Sequence, residues 1–455
     1  MLACLPRAIA RRVSKNSRKF ILRSWVANMN KKGPLSIAEQ SSTDLLQPFG
    51  GSRRTFSVTS DASVHELMGT FEDRSLIRAG EDIRLKTCED EKVTETAFKQ
   101  CKRCLGGTWA KMKPNQLTVT YVTGGMTNYL YLCSLPDDVI TLENEPRKVL
   151  MRIYGEIVDL KQRFYESIIF TVLSERNIGP KTYGVFYSGR IEEFYPYRTL
   201  VTQELKNPAI QKTIGERVAE FHCMKVPLNQ EAQFIWENIE KFLSMILTVE
   251  FEDAEKQERL EAILQSFNFE TEYIWMKSML MNVKSPIVFC HNDVHEGNLI
   301  YVNDEIGPDD FDIRLIDFDY SSYNYRGFDI GNHFSEHLHE YSEDFPDGVI
   351  CTQENYPTRE EQENFARSYL DTIQRMRVKV LTGEKDPLKY YCDYDAGSVD
   401  ELLNEANRFA LAANFYWAVW SIIQEKVSKI SMNYLKHTED RIVTYRLLKD
   451  KYCSN

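Results

Sequence analysis

No stretch of 18 uninterrupted apolar residues occurs in this 455-residue chain, so no segment reads as a transmembrane helix. Acidic residues are missing from positions 1–38, which hold nine Lys or Arg. The chain as a whole still carries a net charge of −11, so the rest of it is strongly acidic. An acidic body disfavours nonspecific nucleic-acid binding. No secretory signal peptide is evident. The ten cysteines follow no regular spacing and read as reduced thiols of an intracellular protein. Cys101-x-x-Cys104 lacks a second pair at zinc-ribbon spacing and falls in a helical pattern, so it reads as a structural helix pair. Internal repeats and low-complexity domains are also absent. What is present is 43% hydrophobic residues over a length sufficient for two lobes or two domains.

Residues 1–33 interleave Arg, Lys and Ser with apolar residues. A mitochondrial transit peptide has that composition, but so does a basic disordered extension, and the second reading is preferred. Positions 34–75 are polar without periodicity and read as a linker.

The informative segment is 286–336. The apolar run Pro286-Ile287-Val288-Phe289 leads into H-N-D-V-H-E-G-N-L-I, with Asp293 five residues before Asn298. Arg314-Leu315-Ile316 leads into Asp317, which opens D-F-D-Y-S-S-Y-N-Y-R-G-F-D-I-G-N-H-F-S-E. Phosphoryl transfer needs an oriented hydroxyl, magnesium on the phosphate oxygens and positive charge at the transition state. Magnesium takes hard oxygen donors, which Asn298 and Asp317 can supply. Asp293 is then free to accept the proton of an alcohol. The H-x-D-x-x-x-x-N spacing parallels the kinase catalytic loop, and Asp317-Phe318-Asp319 stands where kinases carry D-F-G. A lone D-x-x-x-x-N is usually an ordinary Asx-rich loop. The full string is far more specific.

Upstream, 116–122 has the β-branched content of a strand, and a second strand returns from Tyr129. The turn between them is Thr123-Gly124-Gly125-Met126-Thr127-Asn128. Its glycines allow backbone N–H groups to approach an anion, although Gly-Gly in a hairpin is by itself only a turn. The strand from Lys148 carries Arg152, whose planar fork suits phosphate oxygens. Helical periodicity after Phe164 puts Glu166 where it would pair with Arg152. Residues 184–196 read as a hairpin running into a hinge. Beyond Ile210, segments 213–224, 235–248, 254–283, 359–381 and 398–436 have helical period. In the last of these, Trp417 and Trp420 share a helix face.

The string from His291 to Glu336 resembles the choline/ethanolamine kinase family, and the likeness runs over roughly 97–445. Residues 317–336 are similar to the choline kinase pattern almost position for position. The resemblance implies an α+β, protein-kinase-like bilobal fold. A small β-rich nucleotide lobe is expected over 76–195 and a large, mainly helical catalytic and choline-binding lobe over 196–455, after an extension at 1–75. It implies ATP-dependent phosphorylation of choline to phosphocholine, the first step of the CDP-choline route to phosphatidylcholine, with Mg2+. Asp293, Asn298, Asp317 and Arg152 would be catalytic, with Asn298 and Asp317 on the metal. ATP would meet the 123–128 turn, Arg152, Glu166, His295, Asp317 and the hinge at Glu193 and Tyr195. Choline would meet Asp293, Glu336, Tyr341, Trp417, Trp420, Tyr434 and His437. A cytoplasmic homodimer is also implied.

A quaternary ammonium has no N–H to donate, so aromatic faces and a carboxylate must hold it. Departures from the family are His295 for the usual Gln, His337 for a usual Trp and His437 for a usual Tyr of the choline pocket. Losing that Tyr face would weaken the cation–π term by about 0.5–2 kcal/mol unless Tyr434 fills the gap. An ethanolamine or dual-specificity kinase is the nearest rival reading. A pseudokinase is disfavoured because Asp293, Asn298, Asp317 and Arg152 are all present, and an aminoglycoside-type acceptor is disfavoured by the two tryptophans.

Overall fold

The computed structural model describes residues 85–87, 91–122, 128–154, 160–196, 198–232, 234–303, 311–342, 344–428 and 432–453. The extension and linker expected at 1–75 lie outside these residues. So do Thr123, Gly124, Gly125, Met126 and Thr127, and the side chain of Asn128.

The chain begins with a sheet. Strand β1 (Leu85–Thr87) and helix α1 (Glu91–Leu105) precede β2 (Thr118–Val122), β3 (Asn128–Ser134) and β4 (Lys148–Tyr154). Helix α2 (Leu160–Glu175) follows, then β5 (Thr182–Phe186) and β6 (Gly189–Glu193). The six strands form one antiparallel sheet in the order β1-β2-β3-β4-β6-β5. Alternation along β4 sends Val149 and Met151 to one side, both fully buried, and Leu150, Arg152 and Tyr154 to the other. Arg152 stands directly across from Arg190 of β6, and Leu150 across from Glu192. Gly189 has to be glycine: a Cβ there would run into the Arg152 carbonyl oxygen. On α1, Cys101 is buried against Cys133 of β3, and Cys104 packs beside Gly184 of β5.

Past the sheet the chain is mainly helical. The helices are α3 (Pro208–His222), α4 (Phe234–Ile246), α5 (Ala254–Ser266) and α6 (Phe269–Leu280). Two short antiparallel pairs follow. Strand β7 (Ile287–Cys290) pairs with β10 (Ser322–Tyr325), and β8 (Leu299–Asn303) with β9 (Phe311–Leu315). Helix α7 (Arg326–Glu336) and the β11 (His339–Tyr341)–β12 (Val349–Cys351) hairpin come next. Helices α8 (Arg359–Leu381), α9 (Val399–Val427) and α10 (Tyr434–Cys453) complete the chain.

Two segments expected as single helices are each two. The 254–283 segment breaks at Phe267–Asn268, because the Asn268 side chain accepts the Thr271 amide and caps a new helix. The 398–436 segment ends at Val427, and α10 restarts after Asn433, whose side chain accepts the Lys436 amide. A capping asparagine overrides hydrophobic period, and period alone does not register it.

Helix α7 is buried along its whole length and lies against α9. Contact this close depends on Gly331, where a Cβ would sit 2.6 Å from the Ala410 amide nitrogen. We expect Gly331→Ala to destabilise the fold by about 1–3 kcal/mol, the usual cost of overpacking. A urea unfolding midpoint equal to wild type would show that the two helices can separate freely.

Candidate active site

The loop between β7 and β8 is fixed by one carboxylate. Asp329 of α7, 1% exposed, accepts the backbone amides of His291 at 2.7 Å and Asn292 at 2.8 Å, and meets His222 Nε2 at 3.0 Å. Burial alone would raise its carboxyl, but His222, His291 and these bonds hold it below the usual range. Asn292 takes φ +68° and anchors the turn through bonds to the Tyr320 carbonyl and Ser322 Oγ, both at 2.9 Å. Short polar side chains tolerate this left-handed geometry. The next residue, Asp293, is thereby aimed out of the turn.

Asn298 Nδ2 donates to Asp293 at its carbonyl oxygen (2.9 Å) and at Oδ2 (3.2 Å). The Asn298 carbonyl accepts the Ile316 amide at 3.0 Å, and His291 Nε2 meets the Ile316 carbonyl at 2.9 Å. Asp317 follows with φ +59°. These bonds bring Asp293, Asn298 and Asp317 together, although 24 positions separate the first from the last.

Burial pushes the Asp293 carboxyl up to about 7, with Glu336 and Asp317 adding to it against His295 and Arg441. A group poised there suits proton acceptance near neutral pH. His295 Nε2 lies 3.8 Å from Asp293. Burial opposes its charge, but Asp293 and Glu296 outweigh burial and lift it to about 10. Gly297 N–H can donate to Nδ1, at 3.2 Å, only in the neutral ring. As an imidazolium the ring instead faces Glu296 at 3.7 Å.

Arg152 reaches this group from the sheet. Its Nη1 lies 3.9 Å from Asp317 and 4.0 Å from Asp319, while its Nε lies 3.4 Å from Glu192. The expected Arg152–Glu166 ion pair does not form. Glu166 is buried and its Oε2 has no hydrogen-bond partner among the described residues. Burial and Asp319 push its carboxyl up to about 8, against the pull of Arg190 and Arg152. Asp319 is pushed up to about 6 by burial and by Asp317. At the expected hinge, the Glu193 amide is committed to the Lys181 carbonyl at 2.8 Å, and the Tyr195 ring lies under Arg314.

Tyr320, close enough to Asp293 to feel its charge, opens an aromatic cluster. Trp417 Nε1 donates to Asn332 Oδ1 at 2.7 Å, and the Trp417 ring meets Trp420 edge-on at 5.2 Å. Tyr434 meets Trp420 at 5.9 Å, and Tyr320 meets Trp417 at 5.5 Å. Glu336 is not a free carboxylate. Arg441 Nη2 lies 2.6 Å from its Oε1, and Tyr341 OH lies 3.1 Å from its Oε2. His437, expected as a pocket face, is 2% exposed and spends both nitrogens internally. Its Nδ1 is 2.7 Å from Ser421 Oγ, and its Nε2 accepts Arg441 Nε at 2.9 Å.

The family model for choline/ethanolamine kinases matches residues 119–446. The chain belongs to the choline/ethanolamine kinase family. It is 36% identical over 376 residues to "Choline kinase alpha" of Mus musculus, covering 78% of this chain and 81% of that one. It is 37% identical over 362 residues to "Choline/ethanolamine kinase" of Mus musculus, covering 79% and 87%. "Ethanolamine kinase 1" of Mus musculus is 31% identical over 361 residues, covering 76% and 90%. The crystal structure of choline kinase from Cryptosporidium parvum superposes with TM-score 0.59 at 23% identity, covering 79% of this chain and 96% of that one, a likeness of fold. The protein-kinase-like α+β fold expected from the motif is therefore present, with the sheet first and the helices after.

Sequence reasoning missed several residues of this candidate site. Asp329 and Asn332 lay inside the diagnostic string without an assigned task. Tyr320 follows the D-F-D triplet, and its aromatic identity was the available signal. Glu192, Arg190 and Arg441 carried no local signal, because what recruits them is cross-strand and cross-helix pairing.

Burial also lowers several histidines of this family member: His333 to about 4, His339 to about 3, and His337 and His437 well down. The unfolded chain binds their protons more readily. Their contribution to stability is therefore complete above about pH 6.5 and is lost as pH falls. The raised carboxyls of Glu166 and Asp293 act in the opposite direction, so the useful reading is a difference. His337 Nδ1 has no partner among the described residues. The drop in Tm between about pH 7.5 and about pH 5 should be smaller in His337→Trp than in wild type. Equal drops would mean that His337 does not titrate on unfolding.

Proposed function

We infer that this chain is a choline kinase, transferring the γ-phosphoryl group of ATP to the hydroxyl of choline. The observation that carries the reading is an aromatic cluster built around Trp417, with Tyr320 joining it to the Asp293 loop. Asn292 donates to the Tyr320 carbonyl, and the Tyr320 ring meets Trp417. A permanent cation held on ring faces there leaves its hydroxyl beside Asp293. Asp293 takes the hydroxyl proton, Asn298 holds the Asp293 carboxylate in place, and Arg152 meets the phosphates.

The residues present fit a divalent cation. Among the described residues, the carboxylates Glu166, Glu192, Asp317 and Asp319 gather around two guanidiniums, Arg152 and Arg190. Burial first, and then the neighbouring carboxylates, push the Asp319 and Glu166 carboxyls up, and a bound cation would relieve that crowding. Asn298 and Asp317 would hold Mg2+, with Asp319 as a further oxygen donor, and the ion would neutralise phosphate charge. Because Glu336 is already paired with Arg441, the cation term rests more on rings than on a free carboxylate. That favours trimethylammonium over a primary ammonium, so choline is preferred to ethanolamine. The same reading takes the enzyme as a cytoplasmic homodimer that supplies phosphocholine for phospholipid synthesis. Support for that part is the family resemblance. No helix among the described residues is long and apolar enough to cross a membrane.

The deciding experiment is ATP turnover with choline, with ethanolamine and with no acceptor. Choline should give the highest kcat/KM, and equal rates without acceptor would end the reading. Asp293→Ala should lower kcat by at least ~10²-fold while ATP still binds. Trp417→Ala or Trp420→Ala should raise choline KM more than ATP KM, and a folded Trp420→Ala protein with wild-type choline KM would make these rings core alone. Asp317→Ala should abolish turnover and Asn298→Ala should raise the magnesium requirement. An unchanged magnesium titration would remove both from the metal.

A further inference from the structure

Cross-strand register brings Arg152 and Arg190 face to face on one side of the sheet. Like charges directly opposite destabilise a sheet, and these are buried, with side chains 8% and 0% exposed. Glu192 lies two residues along β6 from Arg190 and diagonal to Arg152, and is 3% exposed. Its Oε2 is 2.7 Å from Arg190 Nε, and its Oε1 is 3.4 Å from Arg152 Nε. Arg190 is itself immobilised, with its guanidinium carbon 3.3 Å from the centre of the Phe170 ring on α2. Glu192 is therefore tied at one end and grips Arg152 by Nε alone. The opposite edge of Arg152 is left facing Asp317 and Asp319.

We propose that Glu192, braced by Arg190, is the positioning residue that aims the Nη edge of Arg152 at the nucleotide phosphates. It takes the place of the Glu166 partner that the motif suggests. The proposal rests on the reading of Arg152 as a phosphate contact. A planar guanidinium delivers two parallel bonds only in one orientation, so fixing its Nε edge fixes what it can bind. Removing the carboxylate charge would free Arg152 to turn toward Asp317 and Asp319 and would leave two buried guanidiniums without their shared anion.

Glu192→Gln should raise ATP KM roughly tenfold while choline KM stays within about twofold. Glu166→Gln should raise ATP KM less. Mg-ATP binding measured by calorimetry completes a double-mutant cycle: with Arg152→Ala in place, Glu192→Gln should add nothing. If Arg152→Ala alone leaves Mg-ATP binding unchanged, the phosphate-contact reading itself falls. If Arg152 matters but Glu192→Gln leaves ATP KM at wild type, the positioning proposal falls. It falls equally if Glu192→Gln weakens binding just as much beside Arg152→Ala, or if Glu166→Gln has the larger effect. Should Glu192→Gln not fold, Glu192→Asp carries the same test. Its shorter carboxylate keeps the Arg190 bond and withdraws from Arg152, so ATP KM should rise, and an unchanged value overturns the proposal.

Discussion

A single buried carboxylate, Asp329, sets the position of nearly everything that could react. An unpaired charge in that place would cost several kcal/mol. Asp329 avoids the cost by accepting two successive amides of the Asp293 loop and by meeting His222, which meets Tyr369 OH at 2.8 Å on its other nitrogen. The price is geometric: the loop must present both amides to one side, which forces Asn292 into a left-handed turn and directs Asp293 outward. Asn298 and Asp317 are then located relative to Asp293 by two short bonds through Ile316. Cys290 completes a buried trio with His222 and Asp329, with possible ligand atoms within 4.8 Å of one another. The trio resembles a metal centre in composition, but the Asp329 oxygens are already committed to the loop amides. It is better understood as the anchor of that loop.

Charge divides the site into two unlike halves. Around Arg152, among the described residues, four carboxylates gather about two guanidiniums, and burial together with like-charge crowding pushes Glu166 and Asp319 up. In the other half, Arg441 cancels Glu336, and Tyr341 and His437 lock the pair. In the proposed reading the first half suits a polyvalent cation with phosphates, while the second offers polarizable ring faces. A permanent cation whose ammonium has no N–H to donate would match the second half.

The string from Asp293 to Asp317 was legible as a family resemblance because phosphoryl transfer demands a few residue types at short spacing, and the fold brings Asp293, Asn298 and Asp317 together. The strands around Arg152 and the long helices were legible from period. The partner of Arg152 was not. Motif analogy pointed to Glu166, whereas the pairing observed depends on β4 and β6 lying side by side in a particular register, which no local window contains. Asn268 and Asn433 broke two helices for a related reason, since capping is decided by one side chain and period by many. The substitution of His437 for a usual Tyr pointed to a lost ring face. The fold instead makes His437 an acceptor for Arg441, a task set by a residue one helical turn away.

Phe318, between the two aspartates of D-F-D, stacks on Phe221 at 5.6 Å, tilts against His291 at 5.3 Å and meets Phe170 edge-on at 5.7 Å. Phe170 in turn carries Arg190, whose guanidinium carbon lies 3.3 Å from its ring centre. The result is a continuous strut from the sheet, through a helix, to the loop that carries Asp293. Close-packed rings transmit displacement with little slack. A sideways shift of α2 would therefore be felt at both ends at once, turning the bracing arginine and tilting the residue that stacks on the loop. Arg190, which stands opposite Arg152, and His291, two residues before Asp293, would then shift in step, as two ends of one rigid lever.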